Sequence, residues 1–190
     1  MKRIVFATGN LHKLQELNQI AGNCGIEFVL PPKNFNPIEN GKTFEENSYI
    51  KASEAARLSG MTALADDSGL CVEVLNGAPG IYSARYAETQ QKKIDKLLNE
   101  LKEQTNRKAK FVCAMTLVSP DGKIIFQTTG ECYGIITEKQ AGTNGFGYDP
   151  IFRPDGFDIN IAEMSDEEKN AISHRGNALR KVLEFLKNSQ

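Results

Sequence analysis

The chain has no tryptophan, only two histidines and only four cysteines among its 190 residues. The cysteines, Cys24, Cys71, Cys113 and Cys132, are far apart and form no C-x-x-C pair, which argues against a zinc site or a redox motif. They are typical of reduced thiols in a protein core, so we expect a cytoplasmic protein.

An excess of charge of either sign is also missing, because 23 basic residues are balanced by 24 acidic ones. This balance gives no indication of a nucleic-acid or membrane partner. No apolar run approaches the length of a membrane span, and residues 4–7, after a charged start, are too short for a signal peptide. We therefore expect no nucleic-acid partner and no membrane partner, and any anionic ligand must be bound by local basic groups.

Strand and helix patterns alternate along the chain, which predicts an α/β fold with a mixed sheet and flanking helices. The length suits a single domain that spans residues 1–190. Strands are predicted at 2–7, 26–30, 61–65 and 70–75, a hairpin at 109–118 and 123–136, and helices at 11–21, 43–60, 88–104 and 173–187.

The motif Thr8-Gly9-Asn10-Leu11-His12-Lys13 lies where the first predicted strand gives way to a helix. Free N–H groups and the positive end of the helix dipole make such a junction suitable for an anion, and Lys13 could reach a phosphate. A strand–turn–helix connection without a ligand is the more common alternative, and His12 is more typical of a solvated helix residue than of a catalyst.

Two adjacent acids, Asp66 and Asp67, follow the predicted strand at 61–65 and precede Ser68-Gly69. In one interpretation they cap a tight turn. In the other, neighbouring side chains point to opposite faces, so that one acid serves a site and the other bonds to backbone. Carboxylates combined with substrate phosphates are a typical environment for Mg²⁺, which favours a metal site here.

The glycine-rich loop at residues 142–150 contains Phe146 and Tyr148. Either ring could stack on a planar base, while the alternative is a rigid loop whose aromatic side chains fill the core. Further along, Ser165 and Ser173 resemble helix caps, which places His174 and Arg175 in the first turn of the last helix. Cations there oppose the helix dipole, so an anion should lie nearby, or else Arg175 forms a structural ion pair.

Six blocks of sequence in this order resemble the inosine triphosphate pyrophosphatase family, also called non-canonical purine NTP pyrophosphatases or dITP/XTP diphosphatases. They are TGNLHK at Thr8, TFEENSYIKA at Thr43, ADDSGL at Ala65, GAPGIYSARY at Gly77, GFGYDPIF at Gly145 and EEKNAISHRGNAL at Glu167.

The resemblance implies an elongated, two-lobed α/β domain that forms a homodimer. It also implies Mg²⁺-dependent hydrolysis of ITP, dITP and XTP to the monophosphate and pyrophosphate. Asp67 matches the catalytic acid that activates water, and Glu39 with Asp67 matches the metal ligands. The residues that match the substrate-binding positions are Thr8, Gly9, Asn10, Leu11, His12, Lys13, Lys51, Ser68 and Lys169 at the phosphates and sugar, and Phe146, Gly147, Tyr148, Asp149, His174 and Arg175 at the base.

Two other functions remain as alternatives. One is a related pyrophosphatase with a preference for pyrimidine or methylated nucleotides. The other is a nucleotide-binding sensor without catalysis, which the intact Asp66-Asp67 pair argues against. A nucleic-acid binder is disfavoured by the balanced charge and the lack of a basic stripe.

Overall fold

A computed structural model describes residues 2–189 as one sheet with helices around it. The α-helices are Leu11–Ala21 (α1), Phe44–Ser59 (α2), Gln90–Glu100 (α3), Asp166–Ile172 (α4) and His174–Asn188 (α5). The strands are Lys2–Phe6 (β1), Ile26–Val29 (β2), Ala63–Val72 (β3), Lys108–Val118 (β4), Ile124–Ile136 (β5) and Phe152–Pro154 (β6).

The strand order in the sheet is β2-β1-β3-β4-β5-β6. β1 runs parallel to both β2 and β3, with Phe6 opposite Leu64, whereas β5 and β6 are antiparallel. The carboxyl end of β1 therefore lies beside the start of β3, two residues before the first of the two acids. The predicted mixed α/β sheet with flanking helices is confirmed.

The chain forms two compact units. Residues 2–67, 113–130 and 174–189 form unit 1, and residues 68–112 and 131–173 form unit 2. The prediction of a single domain over 1–190 includes Met1 and Gln190, which lie outside the described residues, and it stays a prediction.

Each unit has its own apolar core, because the periodic apolar positions of its helices meet the strands. In unit 1, Leu17 and Val182 pack with Ile4, Phe6 and Leu64. A second cluster in the same unit brings a face of three small residues on α2 against β1 and β3; these residues are Ala52, Ala55 and Ala56. The core of unit 2 includes Leu70, Ile94, Leu97, Phe152 and Ile161.

Local capping signals place the helix ends. Thr43 accepts a hydrogen bond from the Glu46 amide at 3.1 Å, and Gly60 ends α2 with φ +65°. The side chain of Glu46 accepts from the Lys42 amide, one residue before the cap, so each member of the predicted box satisfies a backbone N–H. Ser165 caps α4, as predicted, and the structure adds a full capping box with Glu168.

Several expectations were wrong. β3 does not end at the acids but continues through Asp66 and Asp67 to Val72, so the tight-turn interpretation fails, and residues 73–75 form a 3₁₀ turn instead of a strand. The helix predicted at 88–104 is shorter and spans Gln90–Glu100, because Thr89 caps its start. Cys24 is exposed and Cys71 is half-buried, so only Cys113 and Cys132 are core thiols.

Among residues 2–189, no helix is long and apolar enough to span a membrane.

Candidate functional site

In unit 1, Asp66 is buried in an ion-pair network. Lys13 Nζ lies 3.0 and 2.9 Å from its two carboxylate oxygens. Arg175 donates from Nε and Nη2 to Asp66 Oδ2 at 3.3 and 3.2 Å, and from Nη1 to Glu16 at 2.5 Å. Asp66, at 1% exposure, and Arg175, at 2%, are thus removed from water as paired charges.

Asp67 belongs to a second group of charges in the same unit. Its Oδ1 lies 2.9 Å from Lys51 Nζ, and Glu39 Oε2 lies 3.0 Å from the same nitrogen. Lys51 is 8% exposed on α2, and Glu39 lies in the loop before that helix. Two carboxylates from distant parts of the chain therefore converge on one ammonium group.

The two neighbouring acids differ in their electrostatics. Burial opposes the ionisation of Asp66, but Lys13 and Arg175 outweigh it and hold the pKa of this carboxyl well below its usual range. Burial raises the pKa of Asp67, and Lys51 offsets that effect only in part. The two acids have different partners, as expected, but the contacts of Asp66 described above are with the cationic side chains of Lys13 and Arg175, where the sequence predicted that one acid would bond to backbone.

Sequence reasoning missed Asn47, which is 1% exposed in the first turns of α2. Its Nδ2 donates to Asp67 Oδ2 at 3.2 Å, and its Oδ1 accepts from the Gly41 amide at 2.9 Å. The signal was present, because Asn47 precedes Lys51 by four residues and so lies on the same helical face. It also missed Glu16, whose carboxylate completes the Arg175 network.

The motif at residues 8–13 follows β1 closely and includes the first three residues of α1. Asn10 caps α1 by accepting from the His12 amide at 2.9 Å, and its own amide donates to Thr8 Oγ1 at 3.0 Å. Leu11 and His12 are exposed, which confirms that His12 is a solvated helix residue. Lys13 is the member of the motif that reaches Asp66.

In unit 2, Asp149 organises the glycine-rich loop. Its Oδ2 accepts from the Phe146 amide at 2.9 Å and from Lys169 Nζ at 3.1 Å. Lys169 Nζ also lies 4.5 Å from the centre of the Phe146 ring, a cation–π distance. Gly145 has φ +72°, and a Cβ there would lie 2.1 Å from Asp149 Oδ2, so only glycine permits this closure.

The two aromatic side chains of this loop differ. Tyr148 is 4% exposed, belongs to the core of unit 2 and donates to the Ser83 carbonyl at 3.0 Å, so it fulfils the core-filling alternative. Phe146 is 37% exposed and has ring surface at which a base could stack. Gln90, at the start of α3, donates to the Gly147 carbonyl and ties the loop to that helix.

His174 and Arg175 occupy the first turn of α5, as predicted. This turn lies against Gly130 of β5, where a Cβ would be 2.2 Å from the His174 carbonyl oxygen. The ion-pair alternative for Arg175 is confirmed by Asp66 and Glu16, and its assignment to the base stays a prediction. Ser68, the first residue of unit 2, is half-buried in β3.

The donor set around Lys51 fits Mg²⁺. Within residues 2–189 no three or more histidine, cysteine or acidic side chains cluster as a metal cage. Mg²⁺ typically takes one or two carboxylates together with phosphate and water oxygens, and the hard oxygens of Glu39 and Asp67 converge in that way.

Unit 1 therefore has the features of an α/β protein with a polar cluster at the carboxyl end of a parallel strand. Ligands usually bind at this place in proteins of this class. The chain belongs to the Ham1 family, whose model matches residues 4–185. The recognition of the family from the six sequence blocks is thereby confirmed.

The relatives cover nearly the whole chain. A dITP/XTP pyrophosphatase of Prochlorococcus marinus is 46% identical over 97% of this chain and 93% of its own. One of Bacillus anthracis is 45% identical over 98% and 96%, respectively. Among solved structures, a HAM1 protein of Coxiella burnetii has a TM-score of 0.91 at 39% identity, covering 99% of this chain and 100% of its own. The Staphylococcus aureus Ham1 protein has a TM-score of 0.89 at 40% identity, with full coverage of both chains.

Proposed function

We propose that this protein hydrolyses non-canonical purine nucleoside triphosphates, such as ITP, dITP and XTP, to the monophosphate and pyrophosphate. It would thereby remove deaminated purines from the nucleotide pool. Membership of the Ham1 family and the names of the relatives, dITP/XTP pyrophosphatases, support the substrate class. The observation that carries the chemistry is the convergence of Asp67 and Glu39 on Lys51 Nζ.

In the proposed reaction, Asp67 accepts a proton from a water molecule, and the water oxygen attacks the α-phosphorus. The bond between that phosphorus and the α–β bridging oxygen breaks, and pyrophosphate leaves with the electron pair. Glu39 and Asp67 would hold Mg²⁺, which when bound neutralises phosphate charge and acts as a Lewis acid. Lys13 and Lys51 supply positive charge for a triphosphate of about four negative charges.

The remaining site assignments are part of the proposal. The capped start of α1 offers backbone N–H groups to phosphate oxygens, which supports the role of residues 8–13. Ser68 and Lys169 are assigned to the phosphates and sugar, and the loop at Phe146 is assigned to the base, with its partly exposed ring as support.

Selectivity in this proposal comes from donors that face O6 of the purine. Hypoxanthine and xanthine carry a carbonyl there, whereas the amino group of adenine would leave a buried donor unpaired, at about 1–3 kcal/mol for each group. His174 and Arg175 are the residues assigned to this contact, and both are buried.

Pyrophosphate release from ITP, dITP, XTP, GTP, ATP and the pyrimidine triphosphates, with Mg²⁺ and with EDTA, tests the function. We expect rapid release from the first three, and only with the metal. Asp67→Asn should abolish turnover and keep nucleotide binding by calorimetry, while Asp95→Asn, which changes an exposed acid on α3, should behave as wild type. Orthophosphate as the sole product, or a preference for pyrimidines, would refute the proposal.

Two further assignments remain predictions. A homodimer is expected from the family resemblance, and light scattering coupled to gel filtration would measure it. A cytoplasmic location is supported by the four free thiols, which are typical of a reducing compartment.

A further inference from the structure

We propose that Asn47 is a positioning residue. Its side-chain amide holds the Asp67 carboxylate and the loop that carries Glu39 in fixed positions relative to each other. The inference rests on the proposed function, because it assigns Asn47 a role through Asp67. The hydrogen bonds themselves can be measured without catalysis.

The orientation of the Asn47 amide is determined by its partners. The Gly41 backbone N–H can only donate, so it must face Oδ1, at 2.9 Å. With Oδ1 turned to Gly41, Nδ2 faces Asp67 Oδ2 at 3.2 Å and donates to it. A rotated amide would break both hydrogen bonds, and at 1% exposure neither would be replaced by bulk water.

A second observation shows that the loop is built for this contact. A Cβ on Gly41 would lie 2.7 Å from the side-chain oxygen Oδ1 of Asn47 and 2.9 Å from the backbone nitrogen of Asn47. The loop backbone can therefore approach α2 this closely only with glycine at position 41. Glu39 is two residues earlier, so the contact fixes the chain immediately after the residue that bears this carboxylate.

The consequence for Asp67 is that both oxygens have a donor on the same face of α2. Lys51 donates to Oδ1 and Asn47 to Oδ2, and these two residues are one helical turn apart. Two donors from one rigid helix fix the plane of the carboxylate as well as its place. A general base needs such fixed geometry, because small misplacements reduce the rate strongly.

Two substitutions distinguish the contact made by Asn47 Oδ1 from the contact made by Nδ2. Asn47→Asp keeps an oxygen for the Gly41 amide but removes the donor to Asp67, whereas Asn47→Leu keeps the branched shape and removes both contacts. Ser48→Ala is the matched control, since Ser48 is the next residue on α2, is fully buried and bonds to Thr116 and the Glu45 carbonyl.

We expect both Asn47 variants to lower kcat for ITP by about 10- to 100-fold, with KM within about threefold of wild type. Ser48→Ala should lose thermal stability and keep kcat. Hydrogen exchange of the Gly41 amide, measured in metal-free protein, should stay slow in Asn47→Asp and become fast in Asn47→Leu.

Wild-type kcat in Asn47→Asp would overturn the inference, since the donor to Asp67 would then be dispensable. Equal kcat losses in Ser48→Ala and Asn47→Asp would also overturn it, because the effect would be general destabilisation. If Asn47→Leu fails to fold, Asn47→Asp still decides. Failure of wild-type protein to release pyrophosphate from ITP would refute the proposed function instead, and the exchange result at Gly41 would still test the contact.

Discussion

Replacing Asp66 by asparagine should destabilise the protein severely. Asparagine has nearly the same shape, so packing is preserved, but the charge that pairs with Lys13 and Arg175 is lost. Both cations are held within 3.3 Å of the carboxylate, and Asp66 and Arg175 are almost fully buried. Removing one partner of a buried ion pair costs about 3–5 kcal/mol, because the remaining charge stays desolvated.

That loss is large compared with the stability of an ordinary domain, which is about 5–15 kcal/mol. At this chain length each kcal/mol corresponds to about 2–4 °C in Tm, so we expect Tm to fall by about 6–20 °C. Urea denaturation followed by circular dichroism, in EDTA, would measure the free energy of unfolding with the slope m as a check on two-state behaviour.

Two further variants distinguish the loss of this buried ion pair from a general loss of stability. Lys13→Met combined with Asp66→Asn should recover part of the loss, since it removes one of the two cations that Asp66 neutralises. Glu54→Gln breaks an exposed pair with Arg57 on α2 and should leave the denaturation midpoint unchanged. A loss below about 1 kcal/mol in Asp66→Asn would refute the reasoning, because it would show that the cations find other compensation.

The remaining predictions concern unit 2. Arg107 donates to three backbone carbonyls at the ends of α3 and β5, so Arg107→Ala should lower the free energy of unfolding by about 1–3 kcal/mol in urea denaturation. Gln90→Ala should raise KM for ITP with little change in kcat, because Gln90 holds the loop assigned to the base, whereas Gln91→Ala should not. Burial raises the pKa of the Cys132 thiol to about 11, so at pH 8 only about one molecule in a thousand carries the thiolate there. Iodoacetamide at pH 8, read by peptide mass spectrometry, should modify exposed Cys24 and spare Cys132 until the pH approaches 11.

Each of these predictions has a contrary outcome. Unchanged stability in Arg107→Ala would mean that water replaces the guanidinium at all three carbonyls. Equal KM values for the two glutamine variants would remove the loop contact from the binding argument. Labelling of Cys132 as fast as Cys24 at pH 8 would contradict its burial.

Local signals predicted the elements whose ends depend on nearby residues. The cap at Thr43 and the left-handed glycine at Gly60 fix both ends of α2 within the helix's own neighbourhood. The hairpin followed in the same way, because its turn at residues 119–122 closes through backbone hydrogen bonds. Such features need no knowledge of the tertiary structure.

The error at β3 has the opposite cause. Asp66 and Asp67 resemble a turn because charged residues rarely continue a buried strand. Their partners make the strand possible, and those partners, Lys13 and Arg175, lie 53 and 109 residues away from Asp66. No local pattern contains that information. Gly130 is similar, since its lack of a side chain is explained only by the first turn of α5 packed against it.

The unequal compensation of the two acids explains why they stand side by side. Asp66 has two cations, Lys13 and Arg175, and its network links β3 to α1 and α5. Asp67 shares a single ammonium group, that of Lys51, with Glu39. Two carboxylates on one cation leave a surplus of negative charge, and hard carboxylate oxygens with such a surplus favour a divalent cation. In the proposed function, Asp66 would therefore serve as the neutralised support and Asp67 as the general base, so the difference between two chemically identical residues lies in their partners.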